Sequence, residues 1–389
     1  MPANKPPFDG EWVKLGELIS KAPIERCGDA KYPVYSMTMR DGIVEQAGRF
    51  KKAIASKDTS SYKVVKKNQL VVGFPIDEGV IYVQNHDAPG IMSPAYNVWN
   101  IDLGRVDPSY LEFALHGPRS MAYYADKMRG TTARRRTLTA DGLREMEILL
   151  PSADGQIRVV NTLDEVRSLI EGANGQIAML DTLVKSRFVE MFGDGQWKRT
   201  ALSEVADIQG GLTKNGKRDL LPLKLPYLRV ANVLRGTLHL DEVLEIGLTV
   251  AECEKNSLVE GDLLFVEGNG SADQIGRCAV WDGSIAPCVH QNHLIRVRFD
   301  ERVLPVYALA YFNAHDGREQ IVARAVNTSG LFTLSTGKVK ALQMPLPPLP
   351  LQQEFADFVN NVDKSRFIVQ QKIEKLQMLY DSLAQEYFG

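Results

Sequence analysis

The sequence predicts an α+β chain in which two similar globular blocks alternate with two long helices, and the helices pair as an antiparallel coiled coil. Three observations predict it. Residues 156–193 and 352–389 align without a gap at an offset of 196 residues. Inside each copy, apolar residues recur at alternating steps of four and three. The stretches ahead of the two copies also repeat one order of signals. A long internal repeat constrains architecture more strongly than any single motif, so it is read first.

Each repeated segment opens on Gln (Gln156, Gln352) and closes on Phe-Gly (Phe192-Gly193, Phe388-Gly389). In the second copy the stepping runs through Phe355, Val359, Val362, Arg366, Val369, Ile373, Leu376, Tyr380, Leu383 and Tyr387. In the first it runs through Val159, Leu163, Val166, Ile170, Ala173, Ile177, Leu180, Val184, Arg187 and Met191. All but Arg187 and Arg366 are apolar. This is the narrow seam of a coiled coil rather than the wider stripe of a helix lying on a globular core. Such a helix is about 57 Å long and cannot bury its seam alone, so each is the simplest partner for the other. Leu163, Ile177, Leu180, Val359, Ile373 and Leu376 stand as seam or partner-binding positions. Arg187 and Arg366 either fix the register, as polar seam residues can, or snorkel out to solvent. Gly172 and Gly175 weaken the first helix by about 1 kcal/mol each relative to Ala.

The helices divide the chain into a first block (1–155), a first helix (156–193), a second block (194–351) and a second helix (352–389). Each block opens near a Trp (Trp12, Trp197) and proceeds to a proline-led apolar run starting at Pro33 or Pro226. Two β-like runs follow, at 69–74 and 79–84 in the first block and at 262–267 and 276–281 in the second. Branched and aromatic residues bounded by Gly, Asp and Asn support strands there. A shorter helical stretch comes next, at 108–127 and 304–324, so each block reads as α+β.

At 389 residues the chain is too long for one ordinary core. Its four cysteines (Cys27, Cys253, Cys278, Cys288) are scattered without a Cys-x-x-Cys pair, as suits a reducing, cytoplasmic setting. No signal peptide or run of about 20 apolar residues stands out, so no membrane is expected. The first block carries 21 basic and 19 acidic residues, and the second 17 and 18. Neither is a broad cationic clamp, so a nucleic-acid role must rest on local patches or on a partner's charge.

Several motifs carry a family resemblance. They are Gly261-Asp262-Leu263-Leu264-Phe265 with Gly276-Arg277, then Thr333-Leu334-Ser335, and Met344-Pro345-Leu346-Pro347-Pro348-Leu349 ahead of Gln352-Gln353-Glu354. In this order, and twice over, they resemble the DNA-specificity subunit of type I restriction–modification systems. The first copy departs from the pattern at residues 150–155. The resemblance implies two target-recognition domains, each reading half of a split double-stranded DNA target, and helices that set the spacing. It further implies docking of two adenine-N6 methyltransferase subunits and of a restriction/translocase subunit. On this reading the chain is non-catalytic and holds no cofactor; S-adenosylmethionine belongs to the methyltransferase partner. The chain agrees in lacking an Asn-Pro-Pro-Tyr-type motif and a phosphate loop.

Candidate DNA contacts are chosen by chemistry, because Arg can grip phosphates or guanine edges and Thr can donate to phosphate oxygens. The densest group is Arg129, Thr131, Thr132, Arg134, Arg135 and Arg136, beside Lys127. The repeat makes Asn327, Thr328 and Ser329 its counterpart. Lys214, Lys217 and Arg218 form a second patch in a Gly-rich stretch, and Asn269 and Arg277 flank the Gly268-Asn269-Gly270 turn. Three bland or competing readings remain open: a protein-interaction scaffold on a coiled-coil strut, a nuclease built on Asp262 and Glu267, and a zinc site at Cys278, Cys288, His290 and His293. That last spacing matches no standard zinc pattern, and no metal is expected.

Overall fold

The computed structural model describes residues 10–39, 41–49, 58–127, 138–328 and 330–389. They form two compact units, one built from residues up to Asn174 together with Gln371–Gly389, the other from Gly175–Gln370. The long helices run Ala153–Phe192 and Leu349–Phe388, 40 residues each. The boundaries expected at 155, 193 and 351 follow the helix ends, whereas the compact units divide within the helices.

In the first unit, Gly10–Lys14 pairs antiparallel with Glu147–Pro151, setting Trp12 opposite Leu149. Four antiparallel strands follow in the spatial order Ile19–Lys21, Asn97–Ile101, Gln69–Val72 and Ile81–Val83. Leu70, Ile81, Trp99, Tyr110, Leu115 and Tyr124 fill the core beside the sheet. The helical stretch expected at 108–127 is two helices, Pro108–His116 and Pro118–Lys127. Gly117 between them is extended (φ −65°, ψ 157°), because a residue before proline is driven out of the α region. The first of the pair starts on Pro108 and is capped by the Asp107 carboxylate, which accepts from the amides of Ser109 and Tyr110.

The second unit repeats the plan. Arg199–Ala201 pairs with Gln343–Pro345. Its four antiparallel strands run in the order Ala206–Gly210, Leu294–Phe299, Leu263–Val266 and Cys278–Val280, the same connectivity as in the first unit. The expected helix at 304–324 is again two, Pro305–Asn313 and His315–Arg324, broken at extended Ala314. A second sheet (Leu244–Leu248, Leu223–Leu228, Val289–His290) is added here.

The helices pair antiparallel inside each unit. In the first, Val159 and Leu163 share a core with Tyr380, Leu383, Tyr387 and Phe388, so the start of one helix meets the end of the other. In the second, Phe188 and Phe192 at the end of the first helix pack on Phe355 at the start of the second, with ring centroids 5.6 Å apart in both pairs. All twenty stepping positions are buried or half-buried. Both seam arginines reach across to the other helix. Arg187 pairs with Glu354 at 2.8 Å and Arg366 with Asp181 at 2.6 Å. Of the two roles open to them, the geometry therefore favours setting the register.

The joint between sheet and helix is duplicated atom for atom. Gln156 Nε2 donates to the carbonyls of Arg105 and Pro151, both at 3.1 Å, and its Oε1 accepts from Asp107 N at 2.7 Å. Gln352 Nε2 donates to the carbonyls of Arg302 (3.0 Å) and Pro347 (2.9 Å), and its Oε1 accepts from Leu304 N at 2.9 Å. Both glutamines are buried, and burial of an amide is tolerated only when its hydrogen bonds are made. Tyr110 and Tyr307 add a matching hydroxyl bond, to Leu149 O at 2.7 Å and Pro345 O at 2.9 Å.

Gly172 and Gly175 lie within the continuous first helix, and a Cβ added at either meets nothing within 4 Å. Alanine at each is therefore expected to raise stability by about 0.5–1 kcal/mol. Urea denaturation of the single and double variants checks this; a loss of stability would show that these glycines serve packing.

Candidate nucleic-acid interface

In the second unit the four-stranded sheet gathers loops at one end. Gly210 faces Ile295, Val266 faces Leu294, and Phe265 faces Cys278. The chain leaving Gly210 and Val266, and the chain entering Cys278 and Leu294, thus share that end. Lys214, Asn269 and Arg277 lie on segments that leave or enter the sheet at that end.

The loop after Gly210 is anchored at buried Leu212, whose amide donates to His290 O at 2.8 Å and whose carbonyl accepts from Asn292 N at 3.0 Å. It then makes a turn over Gly216–Leu220, capped by the Asn215 side chain on the Lys217 amide at 3.1 Å. Lys214 and Lys217 are exposed on it. Arg218 differs. Its Nε donates to Thr213 O (2.7 Å), Nη1 to Gly247 O (3.1 Å), and the guanidinium grips Glu252 in bidentate fashion at 2.8 and 3.1 Å. Arg218 fastens the loop that displays the two lysines.

Arg277 also has internal work, donating from Nε to Val233 O (2.6 Å) and from Nη2 to Val230 O (2.9 Å). Next to it a three-stranded ribbon projects. Val326–Thr328 and Leu331–Thr333 pair as a hairpin turning at Gly330 (φ +86°), and Gly268–Asn269 adds the third strand. Asn269 and Asn327 register with Phe332 from opposite sides. Asn327 and Leu331 are exposed, so the ribbon offers amide and apolar groups outward. Asn269 Oδ1 also accepts from Ser271 N at 2.9 Å, which closes the turn that follows.

With this geometry in view, comparison with known proteins is informative. Residues 195–378 match the family described as type I restriction modification DNA specificity domain. Over this stretch the chain is similar to the type I specificity family. It is 30% identical over 144 residues to the type I restriction enzyme EcoKI specificity subunit of Escherichia coli K12, covering 36% of this chain and 30% of that one. It is 24% identical over 198 residues to a putative type I restriction enzyme MjaX specificity subunit of Methanocaldococcus jannaschii, covering 49% and 45%. The matched stretches therefore span less than half of these relatives. Its fold also resembles a chain from a structural study of assembly and conformational transition in a type I R-M system. That match has a TM-score of 0.59 at 16% identity, over 99% of this chain and 98% of the other. The S subunit of a type I restriction-modification system from M. genitalium gives 0.51 at 15%, over 100% and 98%.

Several of the residue-level expectations meet the structure directly. Arg129, Thr131, Thr132, Arg134, Arg135, Arg136 and Ser329 lie outside the described residues, and Thr328 is placed only as the end of a ribbon strand. The two carboxylates of the nuclease alternative are engaged elsewhere. Buried Asp262 binds Arg298, and Glu267 binds His293 at 3.0 Å. The Cys278, Cys288, His290 and His293 group does not converge. Among the described residues no cluster of three or more His, Cys, Asp or Glu could hold a metal. Burial pushes the thiols of Cys278 and Cys288 up to about 12 and holds His290 down to about 4. Also among the described residues, no helix is long and apolar enough to cross a membrane.

The partner of Arg218 was legible but passed over. Thr249 and Glu252 form a capping box at the start of Val250–Asn256, a pattern visible three residues apart in the sequence. The Arg218 hydrogen bond, joined by the Thr249 amide, holds the Glu252 carboxyl down to about 2. A carboxyl depressed in the folded state adds stability above its unfolded value and loses it as pH falls toward the folded one. This contribution is therefore expected to be complete above about pH 5 and to vanish toward about pH 2. Arg218→Ala should flatten that acid limb; an unchanged pH–stability curve would remove the pair from the account.

Proposed function

We propose that this chain is a non-catalytic specificity subunit that reads a bipartite double-stranded DNA target, with one half-site read by each globular unit. It then brings two adenine-N6 methyltransferase subunits and a restriction/translocase subunit to that target, the S-adenosylmethionine being held by the methyltransferase. The observation that supports the reading best is the duplicated joint at Gln156 and Gln352. Two like units carried on like helix ends suit two like tasks. The exposed lysines and the asparagine-bearing ribbon supply the chemistry for DNA, and the family likeness over residues 195–378 supports it.

The test is a map of N6-methyladenine across the source genome with and without this gene. Methylation at one split motif should disappear with the gene. If the map is unchanged while the methyltransferase partner is active, target selection lies elsewhere and the reading fails.

A further inference from the structure

Three guanidiniums gather at the loop-bearing end of the second unit's sheet. Arg235 follows the turn Val230–Asn232, and its neighbour Gly236 donates to Cys278 O at 2.9 Å. Arg318 stands on the helix His315–Arg324. Both aim Nη2 at one atom, the carbonyl oxygen of Asp273 in the loop after Gly268–Asn269; for Arg318 the distance is 3.0 Å. Arg277, one residue before Cys278, is the third.

The arrangement is electrostatically unbalanced. Burial first, and the Arg235 charge second, hold both Arg277 and Arg318 below the ordinary guanidinium range. Among the described residues the one carboxylate paired with the group is Asp273, its side chain 78% exposed and 3.6 Å from Arg235. Arg318 Nη1 is buried and has no hydrogen-bond partner among the described residues. This local excess sits in a block with 17 basic and 18 acidic residues. Like charges held together in a partly desolvated place favour an incoming anion. Arg pairs also suit phosphate, because the planar fork matches its oxygens.

We propose that Arg235, Arg318 and Arg277 form a phosphodiester-binding site for the DNA backbone beside the Asn269 ribbon, with Asp273 as the exposed counter-ion that the phosphate replaces. This rests on the DNA-reading function proposed for the chain and adds residues to it. The two guanidiniums that share one carbonyl oxygen are already oriented toward a common point. A phosphate contact there positions the duplex without selecting sequence, leaving selection to neighbouring groups. The first unit carries a parallel feature. Lys63, whose ammonium donates to Tyr96 O at 2.5 Å, is held low by burial and then by Lys21 and Arg26. Lys21 is the last residue of its strand and pairs with Trp99, the middle residue of Asn97–Ile101.

The experiment is a salt titration of binding between the full chain and a labelled mixed-sequence DNA duplex, from about 50 to about 200 mM salt. Arg235→Gln should reduce the slope of log K against log salt by about 1 and weaken binding equally on duplexes of different sequence. Asp273→Asn should tighten binding. Arg235 is partly exposed, so its variant is expected to fold; an unchanged melting temperature verifies that, and Arg318→Gln provides a second variant. Wild-type binding with the same slope in both arginine variants would overturn the phosphate site alone. A wild-type chain with no salt-dependent DNA binding would overturn the site and the DNA-reading function together.

Discussion

Phe355→Ala is expected to destabilise the second unit by about 3–5 kcal/mol, the range for removing a fully buried aromatic ring. Phe355 has no exposed surface. Its ring lies 5.6 Å from those of both Phe188 and Phe192, and the Phe192 ring lies 4.8 Å from that of Tyr307. The same cluster therefore holds the end of one long helix, the start of the other and the helix Pro305–Asn313. Its loss leaves a cavity that the three remaining tethered rings cannot readily close. A charge placed at Leu180 or Leu376 is expected to cost less, although these seam positions look equivalent in sequence. Both are only half-buried, so an introduced Asp can turn toward water. Urea denaturation measures the two classes side by side. Hydrogen exchange should show faster opening at residues 188–192 and 307–312 in Phe355→Ala. Equal losses for Phe355→Ala and Leu376→Asp would mean that the seam, not the aromatic cluster, carries the helix pairing.

Much of this architecture was readable because it is periodic. The four-three stepping and the 196-residue offset are properties of the chain itself, and the antiparallel pairing follows from needing a partner for each seam. Side-chain commitments were not readable in that way. Arg218 and Arg277 look like surface cations in a Gly-rich context, yet each is tied to carbonyls or carboxylates far along the chain, at Gly247 and Glu252 or at Val230 and Val233. The helix breaks at Gly117 and Ala314 were missed for a local reason in one case and a tertiary one in the other. Gly117-Pro118 is a stop signal in plain view. Ala314 has no such signal; there, the close approach of Gly317 to the Tyr311 carbonyl, 2.3 Å from where a Cβ would lie, marks the tight turn instead. The Arg235–Arg277–Arg318 group shows the limit most clearly, since its members lie on three segments that only the sheet brings together.

Asp262→Ala is expected to cost about 1–3 kcal/mol, because it leaves the Val259 amide and the part-exposed Arg298 guanidinium without the buried carboxylate they donate to. Asp262 is completely buried at the start of the strand Leu263–Val266. Its Oδ1 accepts from Arg298 Nε at 2.7 Å, and its Oδ2 accepts from Arg298 Nη2 at 2.7 Å and from Val259 N at 2.9 Å. Arg298 Nη2 also reaches Ser257 O at 3.0 Å, so one carboxylate fixes the turn ahead of the strand to the neighbouring strand Leu294–Phe299. Without it, Arg298 would face nearly buried Arg296, whose own carboxylate partner is Asp207, and the two like charges would oppose each other. Asp262→Asn should be milder, since it keeps the shape and one acceptor while losing the charge. The double variant Asp262→Leu/Arg298→Leu should recover part of the loss, as replacing both members of a buried pair often does. A single Asp262→Ala variant with wild-type stability would show that the aspartate of Gly261-Asp262-Leu263-Leu264-Phe265 is not held in the chain for structure, and would return it to the list of candidate functional groups.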